Sequence, residues 1–115
     1  MKIEHYSFGR LVVEGVAYTS DVIIHADGRV EDGWRRRRGH ELVPEDLPEV
    51  LADAPRRLVV GTGAGGLMSV STGFAEACRS RGINVEVLPT GDAVARFNEL
   101  AEAGDEVAAC FHLTC

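Results

Sequence analysis

Cysteine is scarce in this sequence, and its spacing excludes the two structures that cysteine most often builds. The three residues Cys78, Cys110 and Cys115 form an odd set without a CxxC pair. This spacing is unlike a disulfide framework and unlike a zinc site, whose cysteines usually come in close pairs. Reduced thiols in an intracellular protein are therefore the simpler interpretation.

Long apolar runs and surplus positive charge are also missing. No apolar stretch approaches the roughly 20 residues that span a bilayer. The formal net charge of −6 opposes a general attraction to nucleic acid or anionic membranes. The first residues lack the basic and apolar segments of a secretion signal. We therefore expect a cytoplasmic chain that binds neither membrane nor nucleic acid, and its 115 residues are enough for one domain.

The first third of the chain has the pattern of antiparallel β-structure. Residues 10–18 predict a strand, or two short strands joined at Gly15. Residues 21–25 and 29–34 flank Asp27 and Gly28, a dipeptide that strongly favours a hairpin turn. A polar loop with four arginines follows, and a short helix is expected over residues 44–51 because proline and acidic residues suit a first helical turn.

The second half alternates strand and helix. Strands are predicted at residues 57–60, 83–88 and 107–113, and helices at residues 71–81 and after Thr90, which is expected to cap the second helix. A strand, helix, strand order predicts parallel strands with the helices on the faces of the sheet. Ligands then sit at the carboxyl ends of the strands, where residues 61–66 and 89–91 lie.

Six short motifs have an order and spacing that resemble one family of small domains. They are YSFG (6–9), DVII (21–24), WRRRRGH (34–40), GTGAGG (61–66), TGDA (90–93) with Asn98, and ACFHLTC (109–115). This is the Mth-like family of domains of unknown function, which includes the adipogenesis-associated domain protein and the mitochondrial complex I assembly factor three. The resemblance covers nearly the whole chain. It implies a three-layer mixed α/β fold, with N-terminal antiparallel hairpins and a β-α-β-α-β unit forming a central mixed sheet, and no assigned activity.

The glycine-rich loop at residues 61–66 is the best candidate for a binding site, because it follows a buried strand. Its GxGxxG pattern formally matches a dinucleotide fingerprint, but residues 67–70 separate the glycines from the predicted helix. Two interpretations stay open. The loop N–H groups bind an anion such as phosphate or a carboxylate, or the glycines only permit a tight turn and close helix packing.

Residues 35–38 decide whether the anion site is plausible. A helix terminus contributes about 0.3–1 kcal/mol, whereas millimolar affinity needs about 4 kcal/mol. The anion hypothesis therefore depends on an arginine reaching the glycine loop. The same charge run could instead dock an acidic protein partner, or be a solvated loop. Trp34, just before it, is expected to be a core residue with its N–H satisfied.

His112, Cys110 and Cys115 suggest a metal or a thiol nucleophile, but the pattern is incomplete. Cys110 and His112 share a strand face, whereas Cys115 would point to the opposite face of a continuing strand. No further ligand is evident at a usable spacing. His112 is therefore expected to be a structural residue near the loop, and His40 lies in the arginine loop within reach of an anion.

These patterns favour a non-enzymatic binding or assembly domain, because no paired carboxylates, metal ligands or activated nucleophile are evident. The alternative is a small enzyme or sensor for an anionic metabolite at the glycine loop. The predicted partners are another protein, a small anion or a second copy of the chain, and no catalytic residue, cofactor or metal is predicted. The candidate ligand site consists of Gly61, Thr62, Gly63, Gly65, Gly66, Arg35, Arg36, Arg37, Arg38, His40, Thr90 and His112.

Overall fold

The N-terminal part of the protein forms a three-stranded antiparallel sheet. The computed structural model describes residues 1–115. Strands β1 (Ile3–Ser7), β2 (Arg10–Val13) and β3 (Val16–Tyr18) follow one another in this sheet. The turn at Gly15 separates β2 from β3, so of the two alternatives left open for residues 10–18, one strand or two short strands, the second is observed.

The central sheet has five strands, which are drawn from both halves of the chain. They are β4 (Val22–Ile24), β5 (Val30–Glu31), β7 (Arg57–Thr62), β9 (Asn84–Leu88) and β10 (Val107–His112). The order is β5-β4-β10-β7-β9, and β7 is parallel to both β9 and β10. Strand β4 pairs antiparallel with β10, so the start of β4 lies beside the end of β10.

Three α-helices and two small elements complete the fold. The helices are α1 (Pro48–Asp53), α2 (Thr72–Ser80) and α3 (Thr90–Glu102), and a 3₁₀ turn (Pro44–Asp46) precedes α1. The short strands β6 (Glu41–Leu42) and β8 (Ser69–Val70) pair in parallel. The mixed α/β class and the hairpins followed by a β-α-β-α-β unit are confirmed, whereas the predicted short helix is divided into a 3₁₀ turn and α1.

Alternation along the central strands creates two hydrophobic cores, one on each face of the sheet. In β7, Val59 faces α3 and the three-stranded sheet, while Leu58 and Val60 face α1 and α2. In β10, Phe111 and Cys110 divide between the two faces in the same way. Burial on both faces explains why β10 is almost entirely apolar, and it produces the three layers implied by the family resemblance.

Thr90 departs from its predicted role as a helix cap. Pro89 occupies the N-cap position of α3, and Thr90 is the first helical residue. Its hydroxyl donates to the His112 carbonyl at 2.6 Å and accepts the Gly63 N–H at 2.8 Å. Thr90 therefore ties α3 to the ends of β7 and β10, because the hydroxyl is used between elements rather than within its helix.

Asn98 holds the N-terminal sheet against α3. Its Oδ1 accepts the Ile3 N–H at 2.9 Å, and its Nδ2 donates to the Ile3 carbonyl at 2.8 Å. The side-chain amide thus satisfies both backbone groups of one residue, at the register shift between Ile3 and His5 in the pairing of β1 with β2. The sequence placed Asn98 in a motif of the family resemblance but did not indicate which groups its side chain binds.

We expect Asn98→Ala to lower the free energy of unfolding by about 2 kcal/mol, because two partly buried backbone groups lose their partner. Urea unfolding measures the change. Asn84→Ala is the matched control, since the Asn84 side chain is exposed and makes no hydrogen bond, and its effect should stay within about 0.5 kcal/mol. Equal losses in the two variants would contradict the proposed role of the amide.

Candidate functional site

The carboxylate of Asp21 organises the edge of the sheet where β10 ends. Its Oδ1 accepts the Leu113 N–H at 2.8 Å, and its Oδ2 lies 2.8 Å from His112 Nδ1 and 2.9 Å from Arg36 Nη2. Burial by itself would raise the pKa of the Asp21 carboxyl. The Leu113 N–H and the His112 and Arg36 side chains outweigh that effect and hold the pKa below its usual value. Asp21 is therefore ionised at neutral pH.

The ionised carboxylate determines which ring nitrogen of His112 carries the proton. Asp21 can only accept, so Nδ1, 2.8 Å from Oδ2, must be the N–H donor. In the neutral ring, the proton on Nδ1 leaves a lone pair on Nε2. This Nε2 is buried and has no hydrogen-bond partner, and the side chain is only 7% exposed. His112 thus presents an unused acceptor at the edge of the sheet.

Arg36 is the one arginine of the run that turns inward. Its Nε donates to the Gly39 carbonyl at 2.6 Å, and its guanidinium carbon lies 4.7 Å from the centre of the Trp34 ring. The side chain is 7% exposed, and its Nη1 is buried without a partner. Trp34 is buried and donates its ring N–H to the Asp46 carbonyl at 3.0 Å, so its expected role as a core residue is confirmed.

An open cavity of about 390 Å³ lies beside Arg36. It is lined by one hydrophobic residue, Trp34, together with Ser20, Asp21, Gly33, Arg35, Arg36 and Gly39. Arg35 and Arg36 bring two positive charges to this space and Asp21 brings one negative charge. The cavity therefore has a net positive lining although the chain as a whole is acidic.

His40, in the arginine loop, and Cys115, in the segment after β10, both approach His112. The His40 and His112 rings meet edge to face with centroids 5.4 Å apart, and Cys115 Sγ lies 3.9 Å from His40 Nε2. One donor atom from each of the three side chains lies within 4.8 Å of the others. The expectation that Cys115 points away was wrong, because β10 ends at His112 and strand alternation does not extend to Cys115.

The glycine loop is tightly bound to the protein itself. Gly63 donates to the Thr90 hydroxyl, Ala64 donates to the Thr114 carbonyl at 2.7 Å, and Gly66 donates to the Gly63 carbonyl at 3.1 Å. Gly63 has φ of 106°, and an added Cβ would lie 2.7 Å from the Thr114 carbonyl oxygen. Glycine is required at this position for both its backbone conformation and its lack of a side chain.

Helix α2 begins only at Thr72, where the Ser71 side chain accepts the Phe74 N–H at 3.0 Å. The glycines therefore do not open a helix as a dinucleotide-binding motif requires. The remaining loop residue with a side-chain hydrogen bond is Thr62, whose hydroxyl donates to the Leu88 carbonyl at 3.1 Å. Gly61 is buried against Phe111 and Thr90, whereas Gly65 and Gly66 are exposed.

The other arginines of the run lie on the surface. Arg38 pairs with Glu41 at 3.1 Å, while the side chains of Arg35 and Arg37 make no ion pair. The arginine run and the glycine loop both reach His112, but from different sides. Arg36 and His40 contact the His112 ring. On the other side, the Thr90 hydroxyl donates to the His112 backbone carbonyl and accepts the N–H of Gly63 in the glycine loop. The direct contact between arginine and glycine loop that the anion hypothesis required is replaced by this indirect link.

Two residues of the site were missed by sequence reasoning. Asp21 was assigned only to the start of a strand and to the DVII motif of the family resemblance, with no role at a site, although an acidic residue leading into the apolar run VII was a usable signal. Tyr6 donates its hydroxyl to the Leu113 carbonyl at 3.0 Å and thereby fixes the same segment from the other side. No pattern in the sequence connected either residue to the C-terminal segment.

The two buried cysteines, Cys78 and Cys110, lack the exposed thiolate that a reactive cysteine needs. Burial raises the pKa of the Cys78 thiol to about 11, although Arg81 opposes the shift. Burial also raises the pKa of the fully buried Cys110 thiol. Both thiols are therefore protonated at neutral pH and pack as small apolar groups in the core that includes Phe74. Only Cys115 is exposed.

Two apolar side chains stand exposed around the same edge. Phe8 is 66% exposed and Leu67 is 62% exposed. Gly9, beside Phe8, donates to the Leu113 carbonyl at 2.9 Å, and the loop that carries Leu67 is bonded through Ala64 to the Thr114 carbonyl. Each of the two loops that are hydrogen-bonded to residues 113–114 thus carries an exposed apolar side chain.

The mixed sheet, with α1 and α2 on one face and α3 and the three-stranded sheet on the other, is the architecture of a class of small α/β domains. The comparisons with known proteins place the chain within this class. The family model for proteins of unknown function DUF498/DUF598 matches residues 3–112. The chain belongs to this family.

Solved structures share the fold over almost their whole length. A protein described as MT938 is 32% identical with a TM-score of 0.82, and the match covers 99% of this chain and 98% of that one. The conserved hypothetical protein PH1505 from Pyrococcus horikoshii OT3 is 29% identical with a TM-score of 0.83 and full coverage of both chains. A Mth938-like domain from Bordetella pertussis is 18% identical with a TM-score of 0.73, covering 97% of this chain and 85% of that one. The resemblance stated from the sequence motifs is confirmed.

We expect Asp21→Asn to destabilise the protein by about 3 kcal/mol at neutral pH, because it leaves Arg36 buried without its counter-charge. Asp32→Asn, an exposed control, should have little effect. Thermal and urea unfolding across pH measure both.

The pH dependence follows from the lowered pKa of Asp21 in the folded state. Stability contributed by its charge is fully present above the unfolded pKa near 3.8 and is lost as the pH falls through the lower folded pKa. The difference between wild type and Asp21→Asn should therefore narrow below about pH 4. A difference that does not change between neutral and acidic pH would contradict this assignment.

Proposed function

We propose that this chain is a non-enzymatic binding domain that holds a protein partner at the carboxyl edge of its central sheet. The observation that carries the proposal is the pair of exposed side chains, Phe8 and Leu67, on two loops bonded to one C-terminal segment. Large apolar side chains exposed together around a polar centre are typical of protein interaction sites. We call the surface formed by Phe8, Leu67, Arg35 and Arg37 the edge surface.

The charge of the edge surface specifies the partner further. Arg35 and Arg37 are exposed and make no ion pair, in a protein whose net charge is −6. Free arginines on an otherwise acidic chain favour an acidic partner and repel basic surfaces. The partner we propose therefore offers an apolar side chain for Phe8 or Leu67 and carboxylates for the arginines.

The polar centre supports binding rather than a reaction. Asp21, Arg36 and His112 bind one another and the backbone at Gly39 and Leu113, which makes them a rigid support for the surrounding loops. None of the helices has the length and apolarity needed to span a bilayer. We propose the cytoplasm as the compartment, with the unpaired cysteines as support.

The test compares capture of a partner by wild type and by the double variant Phe8→Ser, Leu67→Ser. We expect wild type to retain a partner in stoichiometric amount and the double variant to lose it. Val87→Ser is the matched control, because Val87 is an exposed apolar side chain on β9, 47% exposed, outside the edge surface. Neither change alters a buried contact, so unfolding midpoints should stay close to wild type.

Equal capture by the double variant, or equal loss in Val87→Ser, would refute the edge surface. Light scattering over a range of concentrations shows whether the partner is a second copy of the chain. If wild type forms a dimer and the double variant does not, the chain self-associates through the edge surface. If wild type is monomeric at all concentrations, the partner must be a different protein.

The cavity beside Arg36 supports a second candidate function, the binding of a small anionic metabolite. The buried Nη1 of Arg36 has no partner, and an unsatisfied charged donor costs about 1–3 kcal/mol or more. A carboxylate or phosphate oxygen in the cavity would satisfy it, with Arg35 as a second contact. This candidate moves the anion from the glycine loop, whose N–H groups are largely used internally, to the arginine side of the same edge.

We expect phosphate or a small carboxylate at one hundred times its Kd to raise the free energy of unfolding by about 2.7 kcal/mol at fixed ionic strength. Arg35→Ala should weaken this stabilisation, because Arg35 lines the cavity, while Arg37→Ala should not. Melting temperatures with and without each anion measure the effect. No stabilisation by any anion, or the same response in both variants, would exclude the cavity as an anion site.

A further inference from the structure

We propose that His40, His112 and Cys115 form a zinc-binding site. One donor atom from each of the three side chains lies within 4.8 Å of the others, and Cys115 Sγ is 3.9 Å from His40 Nε2. The residues are far apart in the sequence, and the fold brings them together at the end of β10. Two imidazoles and one thiolate are a donor set that suits zinc.

His112 is already prepared as a ligand. Its Nδ1 donates to Asp21, so its free Nε2 carries the lone pair that a metal requires. A zinc-bound histidine commonly donates its other N–H to a carboxylate, which fixes the ring orientation and makes the ligand more basic. Without a ligand, Nε2 is a buried acceptor with no partner in a side chain that is 7% exposed. Zinc would explain this unpartnered nitrogen.

The other two ligands have the freedom to close the site. Donor atoms on a tetrahedral zinc with bonds of about 2.0–2.3 Å lie about 3.5 Å apart. The distance of 3.9 Å between Cys115 and His40 is already close to this value. His40 and Cys115 are both exposed, one in the arginine loop and one at the end of the chain, so their side chains can shift without disturbing the core. The buried ligand is the fixed one and the exposed ligands adjust.

The charge around the cluster is compatible with a dication. Arg36 Nη2 lies 3.2 Å from His112 Nδ1 and would repel a metal, but the Asp21 carboxylate neutralises it at 2.9 Å. The Cys115 thiolate supplies a further negative charge directly to the metal. Three protein ligands leave a fourth position open to water or to a donor atom from a bound molecule.

A second cluster, His25, Glu31 and Glu49, is a weaker candidate. Its donor atoms also lie within 4.8 Å of one another. However, Glu49 is paired with Arg29 at 2.6 Å, and the His25 Nε2 atom is bonded to Glu31 at 3.1 Å. A metal there would have to break existing pairs, whereas the His112 nitrogen has none to break.

The sequence had predicted no metal, because His112 was considered with Cys110 and an outward Cys115, and His40 was not included. The zinc proposal does not depend on the proposed partner-binding function. Loss of the edge surface through Phe8→Ser and Leu67→Ser leaves all three ligands in place, so the two proposals can fail separately.

The test is titration of the reduced protein, residues 1–115, with Zn²⁺ and Co²⁺. We expect one equivalent of Zn²⁺ to bind by calorimetry and to raise the melting temperature. Co²⁺ should give the near-ultraviolet charge-transfer band of a thiolate ligand and the visible bands of tetrahedral geometry. Zn²⁺ should also protect Cys115 from alkylation, a readout that follows the thiol itself.

Substitutions at the exposed residues His40 and Cys115 identify the ligands and should leave the stability of the fold unchanged. Cys115→Ser should abolish the thiolate band and weaken Zn²⁺ binding at least tenfold, and His40→Ala should weaken binding at least tenfold. The matched controls are His5→Ala, at an exposed histidine outside the cluster, and Glu49→Gln, in the second cluster. Both controls should bind as wild type does.

Absence of a thiolate band with Co²⁺ and of any melting shift with Zn²⁺ would overturn the proposal. So would binding that persists unchanged in Cys115→Ser and His40→Ala. Binding lost in Glu49→Gln but retained in those two variants would also overturn it, because the metal would then belong to the second cluster.

Discussion

The Asp21 carboxylate is the interaction on which the carboxyl edge of this protein depends. It stands at the start of β4, which runs antiparallel to β10, so the topology places it beside the residues that follow β10. From there it holds the Leu113 backbone, the His112 ring and the Arg36 guanidinium. Removing one partner of a largely buried ion pair is strongly destabilising, so the Asp21 carboxylate and the donors around it depend on one another. The strand, the arginine loop and the C-terminal segment are therefore fixed together.

A second set of hydrogen bonds fixes the same segment from the other side. The Thr90 hydroxyl joins the Gly63 N–H to the His112 carbonyl, and Ala64 donates to the Thr114 carbonyl. The glycine loop thus serves the protein's own chain end, in a position where a nucleotide-binding loop would hold phosphate. Its glycines are needed because the chain end approaches within the space of a Cβ atom. This arrangement leaves two buried polar atoms of the edge without a hydrogen-bond partner, Nε2 of His112 and Nη1 of Arg36.

The proposed functions share this support. An ordered chain end presents Phe8 and Leu67 on flanking loops, and the same order places His40 and Cys115 against His112. A partner or a metal that binds here meets a backbone that is already ordered, and for a metal only the exposed side chains of His40 and Cys115 must adjust, so part of the conformational entropy cost of binding is avoided. The pairing of Asp21 with Arg36 also keeps the centre nearly neutral, which tolerates either a cation at His112 or an anion at Arg36.

The sequence by itself determined the class of fold. Hairpin turns at glycine, apolar runs of β-branched residues and helical spacing after residue 70 depend on local steric preferences and on the period of burial, which neighbouring residues reveal directly. The role of Trp34 as a core residue could be predicted in the same way, whereas the family was indicated by the resemblance of six motifs in their order and spacing. The order of the strands in the sheet was not predictable in this way. Strand β4 pairs with the edge of β10 that β7 leaves open, and β5 pairs with β4, but nothing local to residues 22–24 indicates this partner.

Only the tertiary structure decided the site. Asp21, Arg36, His40, His112 and Cys115 have no fixed spacing in the sequence, because antiparallel pairing of β4 with β10 and the path of the arginine loop bring them together. The sequence suggested four equivalent arginines, and the structure distinguishes Arg36, since the Trp34 face and the Asp21 carboxylate accommodate one guanidinium. The observed roles of Thr90 and Cys115 differ from the predicted ones for a related reason. Their partners lie on other elements, and local rules for helix caps and strand alternation do not extend across the fold.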